Sequence, residues 1–238
     1  MSSISEDKMK AIIQSFNPNA IITQTDPEGN SGPFADPEVG NEQPGLDEIE
    51  DAQNEVENMM EELFAAFQQY AKQDGLDSAV SVSMDGGLIY VTLMDRAMFM
   101  PDRADLLPES YVVLDGICSI LEQSKYAIEE IKVEGHTAQE YDDRPNDPVG
   151  DWELSGARAA RVAAYIHQHT TIHPARLSGE GKGQWHPVGN NQGEAGKAPN
   201  RRVELVISAK EIGSELYKEL AVLTSEGGIG VQPAESQN

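Results

Sequence analysis

The chain has 238 residues, with 41 Asp or Glu against 17 Lys or Arg, and its formal net charge at pH 7 is −24. This acidity excludes nucleic acids as general electrostatic ligands, and an anionic ligand must be bound by local arginines. The single cysteine, Cys118, excludes an internal disulfide and a cysteine-rich metal site. The sequence contains no run of eighteen apolar residues, and its start lacks the apolar core of a signal peptide.

The first 46 residues divide into two segments of different composition. Residues 1–20 contain SEDKMKAIIQSF, which is predicted to form a short amphipathic helix with Ser5 as a possible cap. Residues 21–46 are acidic and rich in proline, and they show no sustained periodicity. This composition predicts a flexible linker.

An amphipathic helix is predicted over residues 47–75. Ile49, Val56, Leu63 and Tyr70 repeat at intervals of seven, which is the spacing of a coiled-coil seam. The repeat covers about three heptads, and further apolar residues between these positions widen the stripe beyond a two-stranded seam. The helix therefore either dimerises the chain or docks on the domain that follows, and both alternatives remain open.

Residues 78–208 alternate between strand and helix patterns. The strands AVSVSM and LIYVTLM flank Asp85-Gly86-Gly87, a sequence typical of a hairpin turn. A helix (YVVLDGICSILEQ), a strand (IEEIKVEG), a helix ending near His169, a strand (RLSGEGKG), a loop over 189–200 and a strand (RVELVIS) follow. This order predicts an α/β sandwich, a mixed sheet with helices on one face. Residues 209–238 are predicted to form an amphipathic helix and a disordered tail.

An arginine lies on the inner face of the helix DWELSGARAARV. In a helix, Leu154, Arg158 and Val162 share one face. A buried guanidinium without a partner costs several kcal/mol. Arg158 therefore either pairs with an internal carboxylate, such as that of Glu153 or Glu134, or stays free in a groove and binds a ligand carboxylate by a two-pronged charge-assisted bond.

Four segments resemble the successive motifs of the OmpA C-terminal-like peptidoglycan-binding domain. They are VEGHTA (133–138), DWELSGARAARVAAYI (151–166), IHPARLSGEGKGQWHPVGNN (172–191) and GKAPNRRVELVI (196–207). Each segment alone is weakly specific, but four in the right order and spacing are strongly specific. The resemblance covers residues 78–208 and implies a βαβαβ fold with an extra hairpin. It also implies non-covalent binding of cell-wall stem peptides, without catalytic residues, metal or cofactor.

The resemblance implies roles for particular residues. Arg158 matches the arginine that binds the carboxylate of diaminopimelate in the stem peptide. The aspartate that binds the ammonium of the same ligand is replaced here by Ala138. Asp142, Asp143 and Asp147, in the insert QEYDDRPNDPVGD, either supply this charge or are solvated loop acids. If no substitute exists, the loss is on the order of 1–3 kcal/mol.

The remaining predicted contacts to the wall peptide are Thr137, Asp151, Leu154, Arg201 and Arg202. Asp151 replaces the family's asparagine before the helix and is predicted to be its N-cap. Arg201 and Arg202 are neighbours at the start of a strand, so their side chains point to opposite faces. Only one of the two can therefore join Arg158.

Among the subfamilies, WELSGARA followed by NRRVEL is most similar to the MotB family of flagellar stator subunits. This similarity implies a plug at residues 1–20, a tether at 21–46, a homodimer and a membrane-embedded partner of the MotA type. We expect the chain to be the extracytoplasmic part of a longer protein, tethered to the cytoplasmic membrane by a helix that is absent here. The alternatives are an OmpA-like envelope tether with no motor role and an interaction scaffold that has lost wall binding through Ala138.

Other candidate sites are less well supported by the sequence. The histidines within 167–173 are not expected to form a zinc site, because Pro174 ends the helix, ligands two residues apart diverge, and no cysteine or acidic ligand is adjacent. His136 is predicted to fix the strand-to-loop turn by hydrogen bonds. Trp152 and Trp185 either pack against the helix start and the loop or stack on a sugar, and packing is the expectation.

Overall fold

A computed structural model describes residues 46–73, 75–141 and 143–211. The chain divides into two compact units, residues 1–54 with 211–238 and residues 55–210. The predicted plug, nearly all of the linker and the predicted C-terminal helix and tail lie outside the described residues. Within the described ranges, no helix is both long and apolar enough to cross a membrane.

The second unit is built on a five-stranded sheet. Its strands are β1 (Val80–Asp85), β2 (Leu88–Met94), β3 (Ile128–His136), β4 (Leu177–Gly183) and β5 (Arg202–Ala209). They lie in the order β1-β2-β5-β3-β4, in which β3 and β4 are parallel and the other neighbours are antiparallel. The mixed sheet that the sequence predicted is confirmed.

The β1–β2 hairpin closes through the turn that its sequence indicated. Asp85 pairs with Leu88, and the two residues between them, Gly86 and Gly87, have φ angles of 57° and 79°. Both lie in the left-handed region that a two-residue turn requires and that glycine adopts without steric cost.

Five helices accompany the sheet in the described part of the chain. They are α1 (Leu46–Ala71), α2 (Asp95–Met98), α3 (Ser110–Gln123), α4 (Pro148–His169) and α5 (Gly193–Lys197), with 3-10 turns at Pro174–Arg176 and Ala198–Asn200. Helix α4 packs on β3 and β4, and α3 packs on α4. The loop predicted over 189–200 was wrong in part, since it contains α5 and a 3-10 turn.

The two faces of the sheet differ in chemistry because side chains alternate along each strand. In β3, Ile131 and Val133 are buried towards α4, whereas Lys132 and Glu134 lie half-buried on the opposite face. The core between sheet and helices is formed by Val91, Leu93, Val203, Leu205, Ile207, Val162, Ile166, Leu114 and Ile117. We call the face that carries Lys132 and Glu134 the open face.

Helix α1 has one buried apolar face within the single chain. In the part of α1 that belongs to the second unit, residues 55–71, this face consists of Val56, Met60, Leu63 and Phe67. Near its end, the hydroxyl of Tyr70 lies 3.3 and 3.2 Å from the carbonyl oxygens of Val112 and Val113 in α3, to which it donates. These contacts are those of a docked helix, and dimerisation through α1 remains a prediction.

Candidate functional site

The N-terminus of α4 positions the first group of polar residues. The carboxylate of Asp147 accepts a hydrogen bond from the backbone N–H of Gly150 at 3.1 Å, and Pro148 is the first helical residue. Aspartate at the cap and proline directly after it are both favoured at helix starts. The predicted cap at Asp151 was therefore wrong, because Asp151 lies one turn inside the helix.

Asp151 is buried and only partly hydrogen-bonded. Its Oδ1 atom accepts from the side-chain amide of Asn146 at 3.0 Å, whereas its Oδ2 atom has no hydrogen-bond partner among the described residues. The same Asn146 amide donates to the carbonyl oxygen of Ala138 at 2.9 Å, and its Oδ1 accepts from the N–H of Glu140 at 2.7 Å. Asn146 therefore ties the insert to the end of β3 and leaves one carboxylate oxygen of Asp151 available.

Two further buried side chains near Asp151 lack partners. Within the part of the chain that the structure describes, the Oγ1 atom of Thr137 and both side-chain atoms of the Gln184 amide make no hydrogen bond. The N–H of Thr137 donates to the carbonyl of Gly183 at 3.0 Å, and a Cβ at Gly183 would lie 3.5 Å from Oδ2 of Asp151. Thr137 and Asp151 both lie against Gly183, and Gln184 directly follows it in the chain. We call these three residues the polar cluster, and buried polar groups without partners are rare enough in proteins to indicate a ligand or water site.

Of the two alternatives that the sequence left open for Arg158, the structure shows the internal ion pair. Its side chain is 3% exposed, and its Nη1 atom lies 2.6 Å from Oδ1 of Asp95, the first residue of α2. Its Nε atom donates to the carbonyl of Arg103 at 2.9 Å, and the guanidinium carbon lies 5.2 Å from the ring centre of Phe99. Burial raises the pKa of Asp95 against the opposing charge of Arg158, so this ion pair is largely desolvated.

The carboxylate that pairs with Arg158 belongs to a segment distant from α4 in the chain, and no local sequence pattern connects the two. The loop after β2 returns over the helix and is held by an isolated bridge between Phe99 and Leu106. Of the two acids suggested from sequence, Glu153 is exposed, and Glu134 lies on the open face next to Lys182. Neither of these two acids pairs with the guanidinium of Arg158.

Arg201 and Arg202 lie on opposite sides of the sheet, as the alternation predicted. The carbonyl of Arg201 accepts from the N–H of Asp95 at 3.0 Å, and its side chain forms an ion pair with Glu194. A cavity of about 260 Å³ lies here, lined by Asp95, Glu194 and Arg201 among others but not by Arg158. Arg202 is buried on the open face, with its Nη2 atom 3.5 Å from Oε2 of Glu204.

The remaining predicted contacts are not brought to the polar cluster by any described hydrogen bond. Leu154 is half-buried in α4, and Asp143 is exposed. Asp142 lies outside the described residues. Their roles in ligand binding remain predictions.

The two tryptophans are partly exposed next to the polar cluster. Trp152 follows Asp151 and is 52% exposed, and Trp185 follows Gln184 and is 47% exposed. The packing expected for them accounts for only about half of each residue's surface.

Three contributing residues were missed by sequence reasoning. Asp95 stands directly after a buried strand, a position from which a side chain reaches the sheet edge, but nothing local indicates its partner. Asn146 lies in the insert between Asp143 and Asp147, and no local pattern distinguishes its side chain from a solvated amide. Gln184 follows Gly183, which has a left-handed φ of 58°, and the sequence pattern does not indicate that the Gln184 amide is buried.

Residues 98–201 match the model of the OmpA family. This region of the chain is therefore similar to an OmpA-like domain. Motility protein B of Bacillus subtilis is 25% identical over 158 residues, which are 65% of this chain and 57% of that protein. Uncharacterized protein YtxE of the same organism is 27% identical over 158 residues, covering 66% and 64%. The chain therefore spans less than two thirds of these relatives.

Solved structures confirm the fold. A MotB-like protein from Desulfovibrio vulgaris superposes with a TM-score of 0.57 at 24% identity, covering 66% of this chain and 99% of that one. The periplasmic domain of Helicobacter pylori MotB gives a TM-score of 0.52 at 20% identity, covering 68% and 93%. The cell wall anchor of the T6SS from Pseudomonas aeruginosa gives 0.51 at 26% identity, covering 60% and 97%. The predicted resemblance to OmpA-like peptidoglycan-binding domains, with MotB among the relatives, is thereby confirmed.

Proposed function

We propose that this domain binds peptidoglycan non-covalently and that the chain is the wall-anchoring, extracytoplasmic part of a MotB-type stator subunit. The observation that carries the proposal is the polar cluster of Thr137, Asp151 and Gln184, in which buried donors and acceptors have no partner among the described residues. The similarity to Motility protein B and to a cell wall anchor supports it. No catalytic group is needed for such binding.

The polar cluster offers the chemistry that a stem peptide requires. A stem peptide presents amides, carboxylates and an ammonium group. The Oδ2 atom of Asp151 provides a buried negative acceptor for the ammonium, in place of the acid missing at Ala138. The hydroxyl of Thr137 and the amide of Gln184 both donate and accept, and they bind the peptide groups. A charge-assisted bond to a buried carboxylate is worth about 1.5–3 kcal/mol.

Arg158 contributes to binding in a different way from a free arginine. Its Nε and Nη1 atoms contact Arg103 and Asp95. A ligand carboxylate must therefore exchange with Asp95 to make a two-pronged bond. This exchange makes Asp95 a competitor of the ligand.

Retention of the purified chain on isolated sacculi tests the wall-binding part of the proposal. Asp151→Asn keeps the shape and removes the charge, and we expect it to lower the affinity about tenfold, which is about 1.4 kcal/mol. Glu153→Gln, an exposed acid in the same helix turn, is the matched control and should bind like the wild type. Equal retention of both variants would remove Asp151 from the site, and a wild type that is not retained would favour the scaffold alternative.

A static envelope tether is the second candidate. Outer membrane protein A of Bordetella avium is 34% identical over 106 residues, a higher identity than that of Motility protein B over a shorter region. Deleting the gene in its own bacterium distinguishes the two. Loss of swimming with flagella still assembled supports the stator role, and unchanged swimming supports the tether.

A further inference from the structure

The open face of the sheet carries three carboxylates in one cross-strand row. Glu134 in β3 is paired in register with Glu204 in β5 on one side and with Glu180 in β4 on the other. Like charges directly opposite each other on neighbouring strands are destabilising. The row therefore needs counter-charge.

Lys182 supplies part of this counter-charge, and the hydroxyl of Thr92 holds one oxygen of Glu204. The Nζ atom of Lys182 lies 3.2 Å from Oε1 of Glu134 and 2.5 Å from Oε2 of Glu180. On the other side, the hydroxyl of Thr92 donates to Oε1 of Glu204 at 2.9 Å. In both Glu134 and Glu204 one oxygen is thus held in place while Oε2 points elsewhere.

Both Oε2 atoms point to the ring of His136. This residue is 2% exposed, and neither of its ring nitrogens makes a hydrogen bond to the described residues, so its predicted hydrogen-bonding role at the turn was wrong. Its Nε2 atom lies 3.7 Å from Oε2 of Glu134 and 3.8 Å from Oε2 of Glu204. These separations are too long for hydrogen bonds.

The same separations suit three ligands of one metal ion. With metal–ligand distances of about 2.0–2.2 Å in a tetrahedral site, neighbouring ligand atoms lie about 3.3–3.6 Å apart. The three atoms of Glu134, His136 and Glu204 lie within 4.8 Å of one another, so small side-chain shifts bring them to a common ion.

We propose that Glu134, His136 and Glu204 bind a divalent transition-metal ion of the zinc type on the open face. One imidazole nitrogen and two carboxylate oxygens form a donor set that suits such ions. Lys182 and Thr92 are the outer partners that orient the two carboxylates. The site leaves a fourth position for a further ligand.

The neighbouring cations set the conditions for binding. The Nη2 atom of Arg202 lies 3.5 Å from the same Oε2 of Glu204 and competes with the ion for it. The three carboxylates of the row outnumber the two neighbouring cations, Lys182 and Arg202, so negative charge remains to attract a metal ion.

Calorimetric titration of the full chain with ZnCl2, and the visible absorption of Co2+ added in its place, test the site. We expect one ion per chain and at least a tenfold weaker affinity in Glu134→Gln and in His136→Gln. Glu130→Gln, a half-buried acid earlier in the same strand, is the matched control and should bind normally. Circular dichroism checks that each variant is folded.

The outcomes separate a built site from surface binding. Absence of one-to-one binding overturns the proposal, and so does an affinity that survives both Glu134→Gln and His136→Gln. Binding that falls only in His173→Gln would place the ion at the exposed histidines instead. Retention on sacculi is an independent measurement, because the polar cluster that we assign to the wall peptide uses none of the three ligands.

Discussion

The pair formed by Asp95 and Arg158 makes opposite predictions for stability and for wall binding. Asp95→Asn removes the negative partner of a guanidinium whose side chain is 3% exposed, while the aspartate side chain is 13% exposed. Breaking a buried ion pair on one side costs about 3–5 kcal/mol. The retained bond from Arg158 to the Arg103 carbonyl and the unfavourable burial of Asp95 reduce this cost, and we expect about 3 kcal/mol.

The same substitution should strengthen binding to sacculi. If a ligand carboxylate exchanges with Asp95, neutralising Asp95 leaves the guanidinium to the ligand, and retention of Asp95→Asn rises above wild type. Arg158→Ala removes the cation itself and should lower both stability and retention. Urea unfolding measures the first quantity, and sacculus retention without denaturant measures the second.

Asp105→Asn provides the matched control. Asp105 pairs with Arg103 at 2.6 Å, but the two side chains are 47% and 66% exposed, so the pair contributes at most about 1 kcal/mol. Both readouts should stay close to wild type. If Asp95→Asn and Arg158→Ala lower retention in parallel with stability, Arg158 only supports the fold, and its proposed exchange with a ligand is refuted.

Three further predictions concern stability. Because the folded state holds the pKa of His136 at about 3, the unfolded chain binds the extra proton, and stability should fall by up to about 1.4 kcal/mol per pH unit from about pH 6.5 towards 3. Urea unfolding of His136→Asn should show a shallower slope. Gly135→Ala places a Cβ 2.0 Å from a carbonyl oxygen of α4 and should cost about 3 kcal/mol in thermal unfolding, whereas Gly156→Ala, with its nearest atom at 3.8 Å, should not. Asn200→Ala leaves the two N–H groups of 188–189, each bonded at 2.7 Å, without an acceptor, and should speed their hydrogen exchange.

The sheet and its helices could be predicted from the sequence because their signals are local. Alternation along β3 and β5 and the glycine pair after Asp85 each follow from residues within one element and its turn. The motif order then predicted the family. The start of α4 was misplaced for a related reason: Asp147 and Asp151 are both good caps, and only Pro148 favours the earlier one.

The candidate site could be predicted only in part, because its partners are distant in the chain. The sequence indicated Arg158 and Thr137. The acid that pairs with Arg158, however, precedes α3 in the chain, whereas Arg158 follows it. Nothing in the pattern around Asp95 distinguishes it from a solvated acid after a strand. The unpaired oxygen of Asp151 and the unpaired amide of Gln184 likewise depend on contacts that exist only in the folded chain.

Gly135 connects the two sites that we propose. Its missing side chain allows the backbone of α4 to approach β3, since a Cβ there would lie 2.0 Å from the carbonyl oxygen of Ser155. This approach places Asp151 at the end of the strand beside Thr137, on the helix side. His136, the residue between Gly135 and Thr137, points to the opposite face and meets Glu134 and Glu204. Alternation along three consecutive residues therefore separates the wall-peptide site from the metal site, and substitutions on one face should leave binding at the other unchanged.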